Sequence, residues 1–180
     1  MRITGGTLKG RSVLCPEGEI RPTMDKVRES LFSILGPLEG KSFLDLFGGS
    51  GAVSLEAFSR GAAPVVLVEN DRGKRETTCS NISLAGGTIT GKFMAAELFI
   101  KRNRQNFDII FCDPPFHYRF HEELIRSCDE RGFLAADGIF LMHRPAERFL
   151  PDTIGSLERI DQRRYGRSIV DFYGKQGESS

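Results

Sequence analysis

Several familiar signatures are missing from this sequence, and each absence excludes a class of protein. No apolar run approaches the roughly 18 residues needed to cross a bilayer, and no leader-like pattern opens the chain, so a cytoplasmic chain with no membrane partner is expected. Cysteine is sparse and scattered (Cys15, Cys79, Cys112, Cys128), without a C-x-x-C pair or a neighbouring histidine cluster. That spacing argues against a zinc site, or any other metal, and against a disulfide framework. No repeat, low-complexity block or dividing linker interrupts the 180 residues. The chain therefore reads as one domain over 1–180, large enough to bury roughly 70% of its unfolded surface. Hydrophobic content of 39% and charged content of 27% are ordinary for a globular protein.

An overall excess of charge is also lacking, since the formal net charge is +1, but the distribution is uneven. Residues 1–28 carry six Lys/Arg against three acids, and the remainder is slightly acidic. Glycine pairs and a Lys-Gly-Arg step make residues 1–16 a small hairpin, within an arm that runs over 1–22. Such an arm suits a phosphate backbone, with Arg2, Lys9, Arg11, Arg21 and Arg28 as candidate contacts. The same residues equally suit a solvated edge hairpin, and Arg11, Arg21 and Arg28 also suit a cofactor carboxylate.

After the arm, Thr23 is placed to cap a helix over 24–35, whose apolar residues recur at helical spacing. Gly36-Pro37 stops it. A strand over 42–47, the loop Gly48-Gly49-Ser50-Gly51 and a helix over 52–60 then form a nucleotide-binding opening. The loop is not a complete G-x-G-x-x-G, because Ser54 stands at the third glycine position. Asp45, inside an apolar strand end, anchors the loop or a cationic ligand group. A second strand over 64–68 ends in Glu69, 18 positions after Gly51. An acid there, near the usual spacing of about 20, accepts hydrogen bonds from a ribose. Helices and strands continue to alternate through a strand at 138–142, and two tail strands follow, joined by the basic turn Arg163-Arg164-Tyr165-Gly166-Arg167. The alternation predicts an α/β, doubly wound, mostly parallel sheet.

The chemistry is concentrated in the stretch FDIIFCDPPF, residues 107–116. Its apolar run is a strand buried on both faces. Two prolines then end the ladder, since they lack an N–H and have a fixed φ. A carboxylate (Asp113), a carbonyl (that of Pro114) and a ring (Phe116) are left together, with Pro115 stiffening the turn, at the edge of the sheet where ligands bind. Two acceptors beside a flat ring make a seat for the NH2 group of a planar base.

Taken together, RITGGTLKGR, RPTMDKVRESLFSIL, FLDLFGGSGAVSLEAFSRGA, VLVEND, FDIIFCDPPF and RRYGRSIVDFY span nearly the whole chain. In that order they resemble the bacterial methyltransferases that modify the N2 amine of a guanine in small-subunit ribosomal RNA. The resemblance implies a seven-stranded Rossmann-like sheet, S-adenosylmethionine as cofactor, and a monomer whose N-terminal arm lies on ribosomal RNA or the assembling small subunit. It carries the cofactor loop onto Asp45, Gly48, Gly49, Ser50 and Gly51, the ribose site onto Glu69 with Asn70, and the catalytic seat onto Asp113, Pro114, Pro115 and Phe116. Where relatives place an acid for the adenine amine, this chain has Ala95 and Ala96, which leaves the role to Glu97 or to backbone groups. An amine of DNA or of protein glutamine would fit the same seat. A nicotinamide-dependent oxidoreductase is disfavoured by the broken glycine motif. A non-catalytic RNA-binding module is disfavoured by the intact loop and seat.

Overall fold

The computed structural model describes residues 1–16 and 22–177. Arg21 lies outside the described residues. In chain order the elements are α1 (Pro22–Leu35), β1 (Phe43–Leu46), α2 (Ala52–Ser59), β2 (Val65–Val68), α3 (Arg75–Ile82), β3 (Ile89–Lys92) and α4 (Ala96–Arg102). There follow β4 (Phe107–Cys112), α5 (His121–Glu130), β5 (Leu134–Pro145), β6 (Thr153–Ile154), β7 (Leu157–Tyr165) and β8 (Ser168–Lys175). The described strands form one sheet in the order β3-β2-β1-β4-β5-β8-β7-β6. β1 to β5 pair in parallel, while β8, β7 and β6 add antiparallel. The expected seven strands become eight because Thr153–Ile154 pairs with the start of β7. A two-residue strand is too short to show any periodicity in sequence.

Alternation along the strands sorts the core into two layers. Phe43, Val65, Leu67, Ile109 and Phe111 pack under residues of α1 and α2, such as Leu31, Phe32 and Leu55. Leu44, Leu46, Val66, Ile110 and Cys112 pack on the other face, with Phe99 of α4 and Leu124 and Ile125 of α5. Burial on both faces is why β1, β2 and β4 read as nearly continuous apolar runs. Chain order reverses between β1 and β4, so the crevice beyond their carboxyl ends is the switch point of the sheet. Among the described residues, no helix is long and apolar enough to cross a membrane.

The N-terminal hairpin closes through one bridge, Arg2 with Ser12, and lies against the body. Ile3 and Val13 enter the core layer beside α1 and α2. The contact centres on Glu56, which is fully buried in α2. Its carboxylate accepts from the Thr4 hydroxyl at 2.6 Å, the Thr4 amide at 3.0 Å and the Gly5 amide at 3.0 Å. It also pairs with Arg60 at 3.0 Å and Arg28 at 3.4 Å. Gly6 has φ of 76°, and a Cβ there would sit 1.7 Å from the Ser59 carbonyl oxygen, so only glycine permits this approach.

Replacing Glu56 removes the buried one of the two carboxylates beside buried Arg28, the other being partly exposed Asp25. Glu56→Ala should lower unfolding stability by about 3–5 kcal/mol, the cost of stranding a buried ion. Urea titration checks this, and a loss below about 1 kcal/mol would show that the hairpin docks without that carboxylate.

Candidate functional site

Register brings the site together. β1 pairs with β4 so that Leu46 lies opposite Cys112, and the two chains leave the sheet side by side as Phe47 and Asp113. Phe47 turns the chain with φ of 62°, a conformation that a bulky residue adopts only when its surroundings impose it. The glycine loop follows, with Gly49 and Gly51 at positive φ, and opens onto the first turn of α2. Two buried side chains of α3 hold the loop from behind. Thr78 donates to the Gly49 carbonyl at 2.6 Å, and Asn81 donates to the Ser50 carbonyl at 2.8 Å.

A cavity of about 320 Å³ lies at this switch point. Its walls bring together Asp45, Gly48, Gly49, Ser50 and Glu69 with Asp113, Pro114 and Pro115. Asn70 follows Glu69 but is exposed and does not line the cavity; Asp71 does. Glu69 is buried, and its two oxygens accept from the Gly49 amide at 2.8 Å and the Asp71 amide at 2.7 Å. Each oxygen keeps a second lone pair, so the acid braces the loop and can still accept from a ribose hydroxyl. Asp45 faces the α2 layer, where Ser54 donates to it at 2.7 Å. The serine in the third glycine position thus holds the strand acid. Burial pushes the Asp45 carboxyl up to about 7, against the Ser54 hydrogen bond, and the nearby Asp113 and Glu69 carboxylates add to the rise. Four acids around one cavity, against the two basic residues Arg28 and Lys74, favour a ligand that carries positive charge.

The seat is supported from two sides. His143, at the end of β5, places Nδ1 2.9 Å from Asp113 Oδ1. Oδ2 of Asp113 and the Pro114 carbonyl accept no hydrogen bond from the described residues. These two bare acceptors occupy successive residues at the cavity wall. Tyr118 closes the turn by donating its amide to the Pro115 carbonyl at 2.9 Å. Its ring meets Phe47 edge-on at 5.2 Å, and its hydroxyl donates to Glu97 at 2.6 Å. Burial and Glu97 hold the Tyr118 hydroxyl protonated well above its ordinary range. Glu97 accepts this hydrogen bond and does not line the cavity, so of the two alternatives for the adenine amine the geometry favours the backbone groups. Phe116 projects from the seat with 70% of its surface exposed.

The basic candidates separate. Arg28 is buried, with its guanidinium shared among Asp25 at 3.0 Å, the Arg2 carbonyl at 2.7 Å and Glu56. It fastens the hairpin to the body and also lines the cavity, where its cofactor-carboxylate alternative would lie, instead of reaching outward to a phosphate. Arg2, Lys9 and Arg11 are exposed. The turn that carries Lys9 packs on Ser59 and Arg60, in the last turn of α2, while the cavity lies at the first turn. The helix between spans about 12 Å. Sequence reasoning missed His143 and Tyr118. For His143 the usable signal was a polar residue ending the apolar run next to the seat strand.

The family model described as "Conserved hypothetical protein 95" matches residues 1–174. The Bacillus subtilis protein YlbH is 35% identical over 98% of this chain and 100% of its own length. Ribosomal RNA small subunit methyltransferase D of Escherichia coli is 34% identical over 99% of this chain and 93% of its own. The solved structure of Escherichia coli yhhF superposes with a TM-score of 0.89, at 33% identity, over 99% of both chains. With the cavity at the switch point and the seat beside it, the full-length match leads to one conclusion: the chain belongs to the Conserved hypothetical protein 95 family, together with the small-subunit ribosomal RNA methyltransferases D.

Proposed function

We propose that this protein is an S-adenosylmethionine-dependent methyltransferase acting on the exocyclic N2 amine of a guanine in small-subunit ribosomal RNA. The bare acceptor pair, Asp113 Oδ2 and the Pro114 carbonyl, carries the reading, because two adjacent acceptors match the two hydrogens of an amine. The methyltransferase relatives over the full chain supply the reaction class, and the family resemblance supplies guanine N2. A cytoplasmic monomer acting on the RNA or on the assembling subunit is consistent with that substrate.

The residues fit the cofactor. Glu69 suits its ribose, the glycine loop allows close backbone approach, and Asp45 with its neighbouring acids suits its positive charges. When bound, S-adenosylmethionine would supply an electrophilic methyl group on a sulfonium, with the neutral thioether as leaving group. The chain's own residues prepare the amine. Its nitrogen lone pair is delocalised into the base, and hydrogen bonds to Asp113 and the Pro114 carbonyl favour a pyramidal nitrogen with that pair localised. His143 holds one oxygen of Asp113 so that the other faces the amine, and positioning of this kind accounts for much of the rate. Asp113 would accept the proton that the nitrogen loses once it is methylated. Phe116 offers the base a stacking surface. A paired base cannot enter the cavity, so the target guanine is unpaired or flipped out.

Incubation of small subunits or their RNA, from cells lacking the activity, with methyl-labelled cofactor should place label in N2-methylguanosine. Label in another nucleoside would overturn the target, and bound cofactor with no transfer would overturn the substrate. Asp113→Ala should abolish turnover with cofactor affinity nearly intact; normal turnover would remove Asp113 from the mechanism. His143→Leu should lower kcat by about 10–100-fold without changing KM for cofactor, and His143→Asn, which keeps a donor near Nδ1, should recover much of it. Asp45 gives a pH signature. Below about 7 it is neutral, and a cationic ligand must first displace its proton. Cofactor affinity should therefore rise by up to about tenfold per unit as pH approaches 7 from below, then level off. Calorimetry should show proton release, and Asp45→Asn should flatten the profile. The same raised carboxyl makes the cofactor-free fold lose stability as pH rises from about 4 to about 7, and level off above that, because the unfolded chain ionises Asp45 without burial.

A further inference from the structure

A groove of about 500 Å³ adjoins the seat on the side away from the glycine loop, bounded by Phe116 on one flank and Phe149 on the other. Phe149 is 90% exposed, more than any other large apolar side chain among the described residues. Its loop is nevertheless firmly built. Arg144 is buried, pairs with fully buried Asp171, and donates to the carbonyls of Pro145 and Arg148. An aromatic ring held out to water by a buried ion pair has no role in folding.

The groove continues into a basic surface. β8 runs antiparallel to β5, with Pro145 opposite Ser168, so the tip of the β7–β8 hairpin rises at the same carboxyl edge as Asp113. The Ala146 amide donates to the Arg167 carbonyl at 2.9 Å, joining the tip to the Phe149 loop. Tyr165 pins the tip to α1 through a 2.7 Å hydrogen bond with Ser30. Arg163, Arg164 and Arg167 are exposed there; Arg163 is already paired with Asp161 at 3.0 Å, which leaves Arg164 and Arg167 as the outward cations of the tip. Acids also line the groove, but Glu122 is already paired with Arg126 at 2.9 Å. Glu123 and Glu147 share the lining with Arg119 and Arg148.

We propose that this groove and hairpin tip bind the single-stranded RNA that flanks the target nucleotide. A neighbouring base stacks on Phe149, and the adjoining phosphates pair with Arg164 and Arg167. The inference rests on the proposed ribosomal RNA substrate and adds a track on the side of the seat opposite the N-terminal hairpin. Rigid aromatic platforms beside arginines are the general means of holding single strands, in which every base offers a face and every phosphate a charge.

The test is binding of deproteinised small-subunit RNA at several salt concentrations by wild type, Phe149→Ala, Phe149→Trp and Arg164→Glu/Arg167→Glu. Cofactor affinity, read separately, reports that each variant is folded. Phe149→Ala should weaken RNA binding by about tenfold and Phe149→Trp should restore it. The double reversal should reduce the slope of log affinity against log salt by at least about 1.4, the share of two single-strand phosphate contacts. Wild-type affinity and slope in all variants would overturn the track while leaving the proposed function standing. Loss of binding only to the protein-containing particle, with naked RNA unaffected, would assign the surface to a ribosomal protein and overturn the proposal. Failure of the wild type itself to bind or methylate the RNA would overturn the proposed function and the track together.

Discussion

The parallel pairing of β1 with β4 is the constraint on which the site depends. Both strands are buried on both faces, and their register from Phe43 opposite Ile109 to Leu46 opposite Cys112 permits no slip, because a one-residue shift would turn each core residue to the wrong layer. That register sets Phe47 beside Asp113. The glycine loop and the amine seat lie some 60 residues apart in the chain, yet they share one cavity because two strands end at the same level. The left-handed backbone at Phe47 is the local cost of that exit, and the Phe47–Tyr118 contact stabilises both departing chains at once.

Charge is handled differently in different parts of the molecule. Glu56 and Asp171 are buried acids whose arginine partners and hydrogen bonds satisfy them, so each works as a fastener. Asp45 has only Ser54 and sits among other acids, so burial wins and its proton is held to about neutral pH. An acid in that condition is costly to the fold and useful to a cationic ligand. The same contrast separates Arg28, buried between the carboxylates of Glu56 and Asp25, from the exposed arginines of the β7–β8 tip.

A sheet of this kind leaves its carboxyl edge to be furnished by whatever follows each strand. Here β1 contributes the loop, β2 the Glu69 acid, β4 the seat and β5 the histidine behind the seat. The antiparallel addition of β8 and β7 then returns a hairpin tip to the same edge. One face of the protein therefore combines the acid-lined cavity, the Asp-Pro-Pro-Phe exit and an arginine-rich rim.

Local patterns by themselves determined the alternating elements, the glycine loop, the acid after β2 and the Asp-Pro-Pro-Phe exit, because each is written in neighbouring residues whose periodicity or backbone limits need no partner. Only the tertiary structure decided which polar residues face inward. Nothing near Arg28 in the chain marks it for burial against Glu56, nothing near Glu97 assigns it to Tyr118, and His143 meets Asp113 only because β5 pairs with β4. The short strand Thr153–Ile154 likewise exists only because β7 is there to pair with it. The physical reason is the same in each case. Apolar periodicity and glycine or proline geometry act within a few residues, whereas the partner of a buried charge or a strand edge is set by which distant segments the fold brings within about 3 Å.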